Sequence, residues 1–339
     1  MLQDGSLTSL IAAGVRGLTS NPTIFQQAIE GSDAYHAQFR ELASSGASIE
    51  AAYWSMVCDD IAAAADAFST LHRDSDGSDG FVSVEVDPRL AHDENGTVAA
   101  ALELARRLRR DNVMIKIPAT EAGIGAIRRV LAAGISVNVT LIFGTDRHSE
   151  VMEAHLLGLA DLARSEPNRL RHVASVASFF ISRVDALVDR ILAAGNADAQ
   201  RLAGTVAVDQ AKVAYKNALS LRQSRRWEQL AAAGAQPQRL LWASTSTKNP
   251  AYPDTKYVDE LIGPGTVNTL PDATLRAFAD HGRLQKTIDV DVESSESRLA
   301  AAARYGVDLA AVATTLEGQG VAAFAKSFTE LLDSLRAVR

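Results

Sequence analysis

The chain has little of what several classes of protein require. Its 339 residues contain a single cysteine, Cys58, so no internal disulfide is available, and the sequence favours a reducing, cytoplasmic compartment. No apolar run reaches the length that crosses a bilayer, and no basic-then-apolar signal pattern opens the chain. The net charge of −7 gives no electrostatic footprint for nucleic acid. We therefore expect neither a membrane nor a nucleic acid as a partner.

Motifs for metal, nucleotide and serine chemistry are also missing. The seven histidines show no ligand spacing, and there is no cysteine pair. Gly123-Ile124-Gly125 is too short for a dinucleotide fingerprint and is read as easing the start of a helix. No Gly-x-Ser-x-Gly nucleophile elbow occurs. The sequence predicts an enzyme without a metal or cofactor.

Short β-rich runs alternate with long Ala/Leu-rich amphipathic stretches, as in a parallel α/β sheet. The predicted strands are Gly14–Asn21, Phe81–Asp87, Val113–Pro118, Ser136–Phe143, His172–Phe180, Leu240–Thr245 and Thr266–Leu270. The predicted helices between and after them include Thr97–Arg109, Gly123–Ala132, Arg147–Leu162, Ile181–Leu192, Gln210–Leu230, Asp272–Ala279 and Glu296–Leu335. We expect one domain over residues 1–339, a (β/α)8 TIM barrel with a helical C-terminal extension from about residue 272.

Polar side chains share one face of several predicted strands, near the carboxyl end of each. Strand residues alternate between two faces, so polar and apolar positions can be sorted by parity. The polar positions include Thr19, Asn21, Ser83, Glu85, Lys116, Asn138, Thr140 and Ser178. A purely structural barrel interior would carry branched apolar residues instead. Five strands with this pattern predict a catalytic mouth.

Lys116 is the most informative of these residues, because it interrupts the apolar strand Val113–Pro118. Lysine is seldom buried without a partner, and a buried ammonium tends to lose its proton. A neutral amine attacks carbonyl compounds to form a Schiff base. Alone, Lys116 would more simply be a strand-end lysine whose ammonium reaches solvent.

The neighbouring residues supply the rest of that chemistry. Glu85 is the carboxylate for proton transfer on the carbinolamine, and Thr140 would hold a water between it and the lysine. Asn21 and Asn138 suit sugar hydroxyls. Arg183, which starts a predicted helix, and Lys248, which follows the Ser/Thr-rich loop Ala243–Thr247, suit a phosphate. For Arg183, an ion pair within its own helix, with Asp185 or Asp189, is the competing interpretation.

At these motifs the chain resembles the transaldolase family, from about residue 14 to its end and in order. The matching segments are Thr19–Phe25, Ser83–Leu90, Val113–Thr120, Val137–Phe143, Ala177–Asp185, Leu241–Thr245 and Thr266–Pro271. Residues 239–271 are more similar to the longer, actinobacterial-type branch than to the short aldolase-like branch.

The resemblance implies transfer of a dihydroxyacetone unit between sugar phosphates in the non-oxidative pentose phosphate pathway. Sedoheptulose 7-phosphate and glyceraldehyde 3-phosphate would give erythrose 4-phosphate and fructose 6-phosphate. The implied roles are a Schiff base on Lys116, water handling by Glu85 and Thr140, hydroxyl binding by Asn21, Asn138 and Ser178, a pocket wall at Phe180, and phosphate binding by Arg183, Ser244 and Lys248. Lys248 is the loosest match, because arginine is commoner there in the family. Monomer and homodimer both stay open.

One departure concerns the start of the chain. The family begins with a strand that carries a catalytic Asp, whereas residues 1–10 here predict the following helix, with Ser6 as its cap. Asp4 is too near Asn21 in sequence to be that acid. We expect seven strands, with two unpaired sheet edges that lower stability and favour aggregation.

Two other functions stay open. A simple aldolase would use the same Schiff base without passing the fragment to an acceptor, which product analysis with and without erythrose 4-phosphate distinguishes. A catalytically impaired barrel is the alternative from a different class, since the first strand and its Asp are not found. The set Lys116, Glu85 and Thr140 argues against it.

Overall fold

The computed structural model describes residues 5–30 and 33–338 as an α/β protein around one parallel sheet. Within these residues the sheet has seven strands in sequential order. They are β1 (Gly17–Thr19), β2 (Phe81–Glu85), β3 (Val113–Pro118), β4 (Val137–Ile142), β5 (Ser175–Phe180), β6 (Arg239–Ala243) and β7 (Thr266–Asn268). All seven predicted strands are confirmed, most of them shorter at their ends. In the same ranges β1 and β7 each pair on one side only.

Helices fill the connections and the C-terminal region. They are α1 (Ser6–Ala12), α2 (Pro22–Glu30), α3 (Asp33–Ser44), α4 (Ile49–Asp74), α5 (Glu94–Leu108), α6 (Glu121–Ala132), α7 (Thr145–Ser165), α8 (Ser182–Ala193), α9 (Ala197–Gln200), α10 (Val206–Arg222), α11 (Arg225–Ala232), α12 (Lys256–Asp259), α13 (Asp272–His281), α14 (Val292–Arg304) and α15 (Leu309–Val338). No helix in the described part of the chain is long and apolar enough to cross a membrane.

The predicted secondary structure was wrong in four places. The helix predicted over Gln210–Leu230 is two helices, because Ser224 caps the second by accepting a hydrogen bond from the Trp227 amide. The tail predicted over Glu296–Leu335 is interrupted after Tyr305. A 3-10 turn covers Pro167–His172, so the fifth strand starts three residues later than predicted. Gly5, with a φ of 74°, precedes α1, and Ser6 is its first residue rather than its cap.

The sheet is curled, because contacts join strands that are not neighbours. The Asn138 amide on β4 donates to Ser83 Oγ on β2, at 3.0 Å across the intervening strand. At the opposite end of the strands, the Arg239 guanidinium on β6 donates to Asp79 Oδ1 just before β2, at 3.0 Å. A flat sheet would hold β2 and β6 far apart, since neighbouring strands are about 4.8 Å apart.

The two faces of the sheet differ in chemistry. Val84 on β2 and Ile115 and Ile117 on β3 are buried on the outer face, among the apolar residues of the helices. Glu85 and Lys116 are at the same register position on the same two strands and point to the inner face. The fold therefore collects polar groups on the inside of the curl, as the alternation of the strand residues predicts.

Gly123 makes a close approach on which the Lys116 strand depends. It lies in the first turn of α6, directly after β3, and its amide donates to Thr120 Oγ1. A Cβ atom at residue 123 would come within 1.9 Å of the Pro118 carbonyl oxygen. The glycine is needed for packing space between the end of the strand and the helix that follows.

We expect Gly123→Ala to lower the free energy of unfolding by about 1–3 kcal/mol or more, since backbone must move to relieve the overlap. Gly318→Ala is the matched control. Gly318 is exposed within α15 with open space around it, so alanine should add about 0.5–1 kcal/mol. Urea unfolding of both variants measures the difference. Equal effects of the two substitutions would show that Gly123 is not needed for packing space beside Pro118.

Two buried histidines line a small cavity on the outside of the sheet, between α7, α10 and α11. The cavity has room for about one water molecule. His148 Nδ1, His155 Nε2 and Gln238 Oε1 are buried, and none has a hydrogen-bond partner among the residues that are described. Burial lowers the pKa of His148 to about 4, and burial with the nearby Arg222 guanidinium lowers the pKa of His155 to about 3.

These two histidines predict an acid-sensitive stability. The unfolded chain takes up both protons near pH 6.5, whereas the folded chain holds both rings neutral to a lower pH. Stability is therefore complete above about pH 6.5 and falls as the pH drops toward 4, by up to roughly 3 kcal/mol for each ring. His155→Phe, which preserves the stacking on Trp227, should reduce this pH dependence in urea titrations. His172→Phe, at an exposed position, should leave it unchanged; if both variants behaved like the unsubstituted chain, burial of His155 would not be the cause.

Candidate active site

The centre of the site is a buried ion pair between Lys116 and Glu85. Lys116 Nζ donates to Glu85 Oε2 at 2.7 Å, and the two side chains are 7% and 3% exposed. Burial raises the pKa of the Glu85 carboxyl, while the Lys116 ammonium acts in the opposite direction. A carboxyl with a raised pKa therefore lies within hydrogen-bond distance of the amine. Sequence parity predicted that the two residues share the polar face, and the structure places their side chains in direct contact.

On the side toward β1, the Lys116 amine contacts the backbone of the chain just after that strand. The Nζ donates to the Ser20 carbonyl oxygen at 3.4 Å, and the Ser20 hydroxyl donates to the Ser83 carbonyl oxygen. Within residues 5–30 and 33–338, Glu85 is the carboxylate in ion-pair contact with Lys116, and no eighth parallel strand is present. Asp4, which is too near Asn21 in sequence to be the missing acid, lies outside the described residues.

Asn138 on β4 and Ser178 on β5 are hydrogen-bonded to each other. Ser178 Oγ donates to Asn138 Oδ1 at 2.7 Å, and Asn138 Nδ2 donates to Ser83 Oγ. Asn138 occupies the register position beside Lys116, so its amide is held next to the amine. Thr140, two residues further along β4, is fully buried, and its Oγ1 has no hydrogen-bond partner in the described structure. A buried hydroxyl of this kind needs a ligand or water.

Asn21 has a structural contact as well as its predicted role. Its Oδ1 accepts a hydrogen bond from the Ile24 amide at 2.9 Å, which is the N-cap geometry for α2. With Glu85 it lines a small cavity that has room for about one water molecule. The cap fixes the carbonyl-oxygen side of the amide and leaves the Nδ2 donor for another partner.

Arg183 is a half-buried cation at the start of α8. The competing interpretation, an ion pair with Asp185 or Asp189, is wrong. Asp185 accepts from the Ala207 amide and the Tyr257 hydroxyl, and Asp189 accepts from the Gly204 amide and the Tyr252 hydroxyl. Across the described ranges no carboxylate pairs with Arg183. Desolvation lowers the pKa of its guanidinium.

The ring of Phe180 connects Arg183 to the pocket wall. The Arg183 guanidinium carbon lies 5.7 Å from the centre of the Phe180 ring, which packs on Phe143 at 4.9 Å between ring centres. Stacking of this kind holds a guanidinium in place without neutralising it. Phe180, which was predicted as a wall of the pocket, is therefore next to the Arg183 guanidinium.

Ser244 follows β6 with a φ of 56°, a left-handed backbone conformation that a serine rarely adopts. Its hydroxyl shares a hydrogen bond with Ser182 Oγ at 3.0 Å, one residue before Arg183. Lys248 is exposed, and its Nζ donates to Ser246 Oγ at 2.7 Å. Strained residues collect at binding sites, which favours this loop as a ligand contact. Direct convergence of Lys248 and Arg183 stays a prediction.

Two groups that the structure brings to this site were not predicted from the sequence, Ser182 and Phe324. Ser182, the first residue of α8, shares a hydrogen bond with Ser244. Phe324 on α15 lies over Lys116, with its ring centre 5.3 Å from Nζ. No local pattern indicates this contact, because α15 is far from the strands in sequence.

The fold and the site define an α/β enzyme whose buried lysine projects from the middle of a parallel sheet. The family model described as Transaldolase/Fructose-6-phosphate aldolase matches residues 3–335. The chain is 48% identical to a transaldolase of Parafrankia sp. over 99% of this chain and 91% of the relative. It is 48% identical to a transaldolase of Mycolicibacterium smegmatis over 98% and 90% of the two chains.

A protein of Streptomyces avermitilis named Transaldolase 1 is 47% identical, over 98% of this chain and 89% of its own. The chain belongs to the transaldolase/fructose-6-phosphate aldolase family, and it is an enzyme with transaldolase function. The family predicted from the sequence motifs is confirmed.

Because no carboxylate of the described residues pairs with Arg183, we expect phosphorylated ligands to depend on this guanidinium. We expect Arg183→Ala to raise the concentration of a sugar phosphate needed for half-maximal adduct formation, with a loss of roughly 2–3 kcal/mol in binding. Unphosphorylated dihydroxyacetone should be affected much less. Borohydride reduction and mass spectrometry measure both.

Arg190→Ala on the same helix is the control, because its exposed guanidinium bonds only its own helix, at the Ala186 carbonyl. Equal losses for the phosphorylated and unphosphorylated ligands in Arg183→Ala would assign Arg183 a structural role.

Proposed function

We propose that this enzyme transfers a dihydroxyacetone unit between sugar phosphates through a Schiff base on Lys116. The observation that carries the proposal is the buried 2.7 Å contact between Lys116 Nζ and Glu85 Oε2. An amine becomes a nucleophile when a neighbouring base takes its proton, and a carboxyl whose pKa is raised by burial is such a base. The pathway is the non-oxidative pentose phosphate pathway, in the cytoplasm.

The first chemical step is the attack of the Lys116 amine on the ketone carbon of the donor. Proton transfer to Glu85 leaves the amine neutral, and the carbinolamine that forms must then lose water. Thr140 Oγ1, buried and unpartnered in the described structure, is suited to hold that water beside Glu85. Glu85 gives its proton to the departing water and is again a carboxylate. The iminium then draws electrons from the bond between the α- and β-carbons, which breaks as the β-hydroxyl passes its proton to Glu85 through that water; the β-carbon leaves as an aldehyde, and the three-carbon unit stays on Lys116 as an enamine.

Binding of the sugar uses the polar groups around this centre. The linked amide and hydroxyl of Asn138 and Ser178 offer a donor and an acceptor to sugar hydroxyls. Asn21 Nδ2 is a further donor. Arg183, with Ser244 and Lys248 on the neighbouring loop, binds the phosphate group, since a half-buried guanidinium without a carboxylate partner among the described residues suits an anion.

We also propose that the chain has the fold of a (β/α)8 barrel. The sequential order of seven parallel strands, the curl of the sheet and the position of the polar groups at strand carboxyl ends support a (β/α)8 TIM barrel in a single domain with a helical C-terminal extension. Sugar phosphates are the partners, no metal or cofactor is needed, and the oligomeric state is open between monomer and homodimer.

Borohydride trapping tests the central step. Fructose 6-phosphate with borohydride should add a reduced adduct to Lys116 alone, located by peptide mass spectrometry. Lys116→Ala should abolish the adduct while the chain stays folded, because the Glu85 carboxyl left behind can take up a proton. Lys216→Ala is the control, since Lys216 forms an exposed ion pair with Glu296. An adduct on another lysine in Lys116→Ala would overturn the assignment.

A further inference from the structure

The C-terminal helix α15 lies across the end of the sheet at which the polar groups collect. It packs against α2, α8 and β4, which follow or form different parts of the curl. Ser327 on α15 shares a hydrogen bond with Thr23 on α2 at 2.9 Å. Glu317 on α15 pairs with Arg147 on α7 at 3.3 Å. The helix is therefore fixed as a cover over the strand ends.

Phe324 is the residue of this cover that reaches the reactive amine. Its ring centre lies 5.3 Å from Lys116 Nζ, and Phe324 is 5% exposed. With Glu85 on one side, the Ser20 carbonyl on another and this ring above, the amine is closed off from solvent.

We propose that Phe324 controls whether the bound three-carbon unit is transferred or released. The aromatic face of Phe324 lies against the cationic nitrogen of Lys116 and excludes water from that nitrogen. The inference rests on the proposed Schiff base at Lys116. Its consequence is that transfer to an aldehyde acceptor exceeds release of free dihydroxyacetone. Phe324 is thus a residue that determines specificity for transfer over aldol cleavage alone.

The chemistry of the competing step shows what must be prevented. After carbon–carbon cleavage the enamine carbon can take up a proton from water and return to an iminium. A second water then adds its oxygen to the iminium carbon. The carbon–nitrogen bond breaks, dihydroxyacetone leaves with that oxygen as its carbonyl, and the nitrogen recovers its electron pair and a proton. A ring face stabilises the cation while it leaves no place for the attacking water.

Phe324 and Phe328 lie on the same helix but have different contacts. Phe328, one turn further along the same helix, packs edge-on to Tyr53 at 5.2 Å and lies under the Arg89 guanidinium at 4.8 Å. It has no ring contact with Lys116 of the kind that Phe324 makes. Of these two phenylalanines, Phe324 is the one whose ring contacts the Lys116 amine, whereas Phe328 packs on Tyr53 and Arg89.

The test compares two products from fructose 6-phosphate, free dihydroxyacetone and the sedoheptulose 7-phosphate formed with erythrose 4-phosphate. We expect Phe324→Ala to raise the ratio of free to transferred unit by roughly tenfold. Phe324→Leu retains apolar bulk without the ring and should lie between this variant and the unsubstituted chain. Leu331→Ala, a fully buried position on the same helix, controls for simple loosening of α15.

The outcomes separate this inference from the proposed function. A borohydride adduct on Lys116 with an unchanged product ratio in both Phe324 variants would overturn the role of Phe324 alone. An equal rise in Leu331→Ala would also overturn it, because loosening of the helix would then be sufficient. Failure of the unsubstituted chain to form the adduct would overturn the Schiff base and this inference together.

Discussion

The structure depends on placing two opposite charges inside a parallel sheet. Lys116 and Glu85 stand at the same register position on adjacent strands, and each is almost fully removed from water. Burial of ions costs several kcal/mol each, and a close pair recovers this only when the geometry is good. The outer faces of the same strands are apolar and buried, so the helices packed on them hold the strands in the register that the pair needs. The pair therefore keeps a carboxyl whose pKa is raised by burial within hydrogen-bond distance of the buried amine.

The C-terminal helix gives the pair its environment. A sheet whose inner face is polar would admit water at the ends of its strands, and water would screen the charges and compete for the amine. Helix α15 is the element that prevents this, and its contacts with residues that follow β1 and β4 fix its position. The 30 residues that are farthest from the strands in sequence thus complete the site that the strands begin.

Much of the strand arrangement and of the site could be predicted from the sequence. Apolar runs located all seven strands, and the alternation of side chains placed Glu85, Lys116 and Asn138 on one face, where they are found. The helix interruptions were harder, although local signals existed. Ser224 is a helix cap, and Gly306, with a φ of 87°, ends α14 while Asp308 Oδ1 accepts from the Ala311 amide to begin α15. Apolar periodicity continues through both breaks and hides them. The position of Phe324 over Lys116 could not be predicted, since it follows from tertiary packing between segments about 200 residues apart.

Lys116 and Arg183 have opposite surroundings, and the contrast supports the roles proposed for them. Lys116 has its counter-charge inside the protein, at Glu85, so its charge is satisfied without a ligand and its proton has somewhere to go. Arg183 is half-buried and stacked on Phe180, and the nearby carboxylates of Asp185 and Asp189 are already occupied by backbone amides and tyrosine hydroxyls. A guanidinium keeps its proton in a protein, so it cannot act in proton transfer. Its unsatisfied charge instead favours an anionic group. The arrangement therefore supports the proposed division between bond-making at Lys116 and recognition of an anionic group at Arg183.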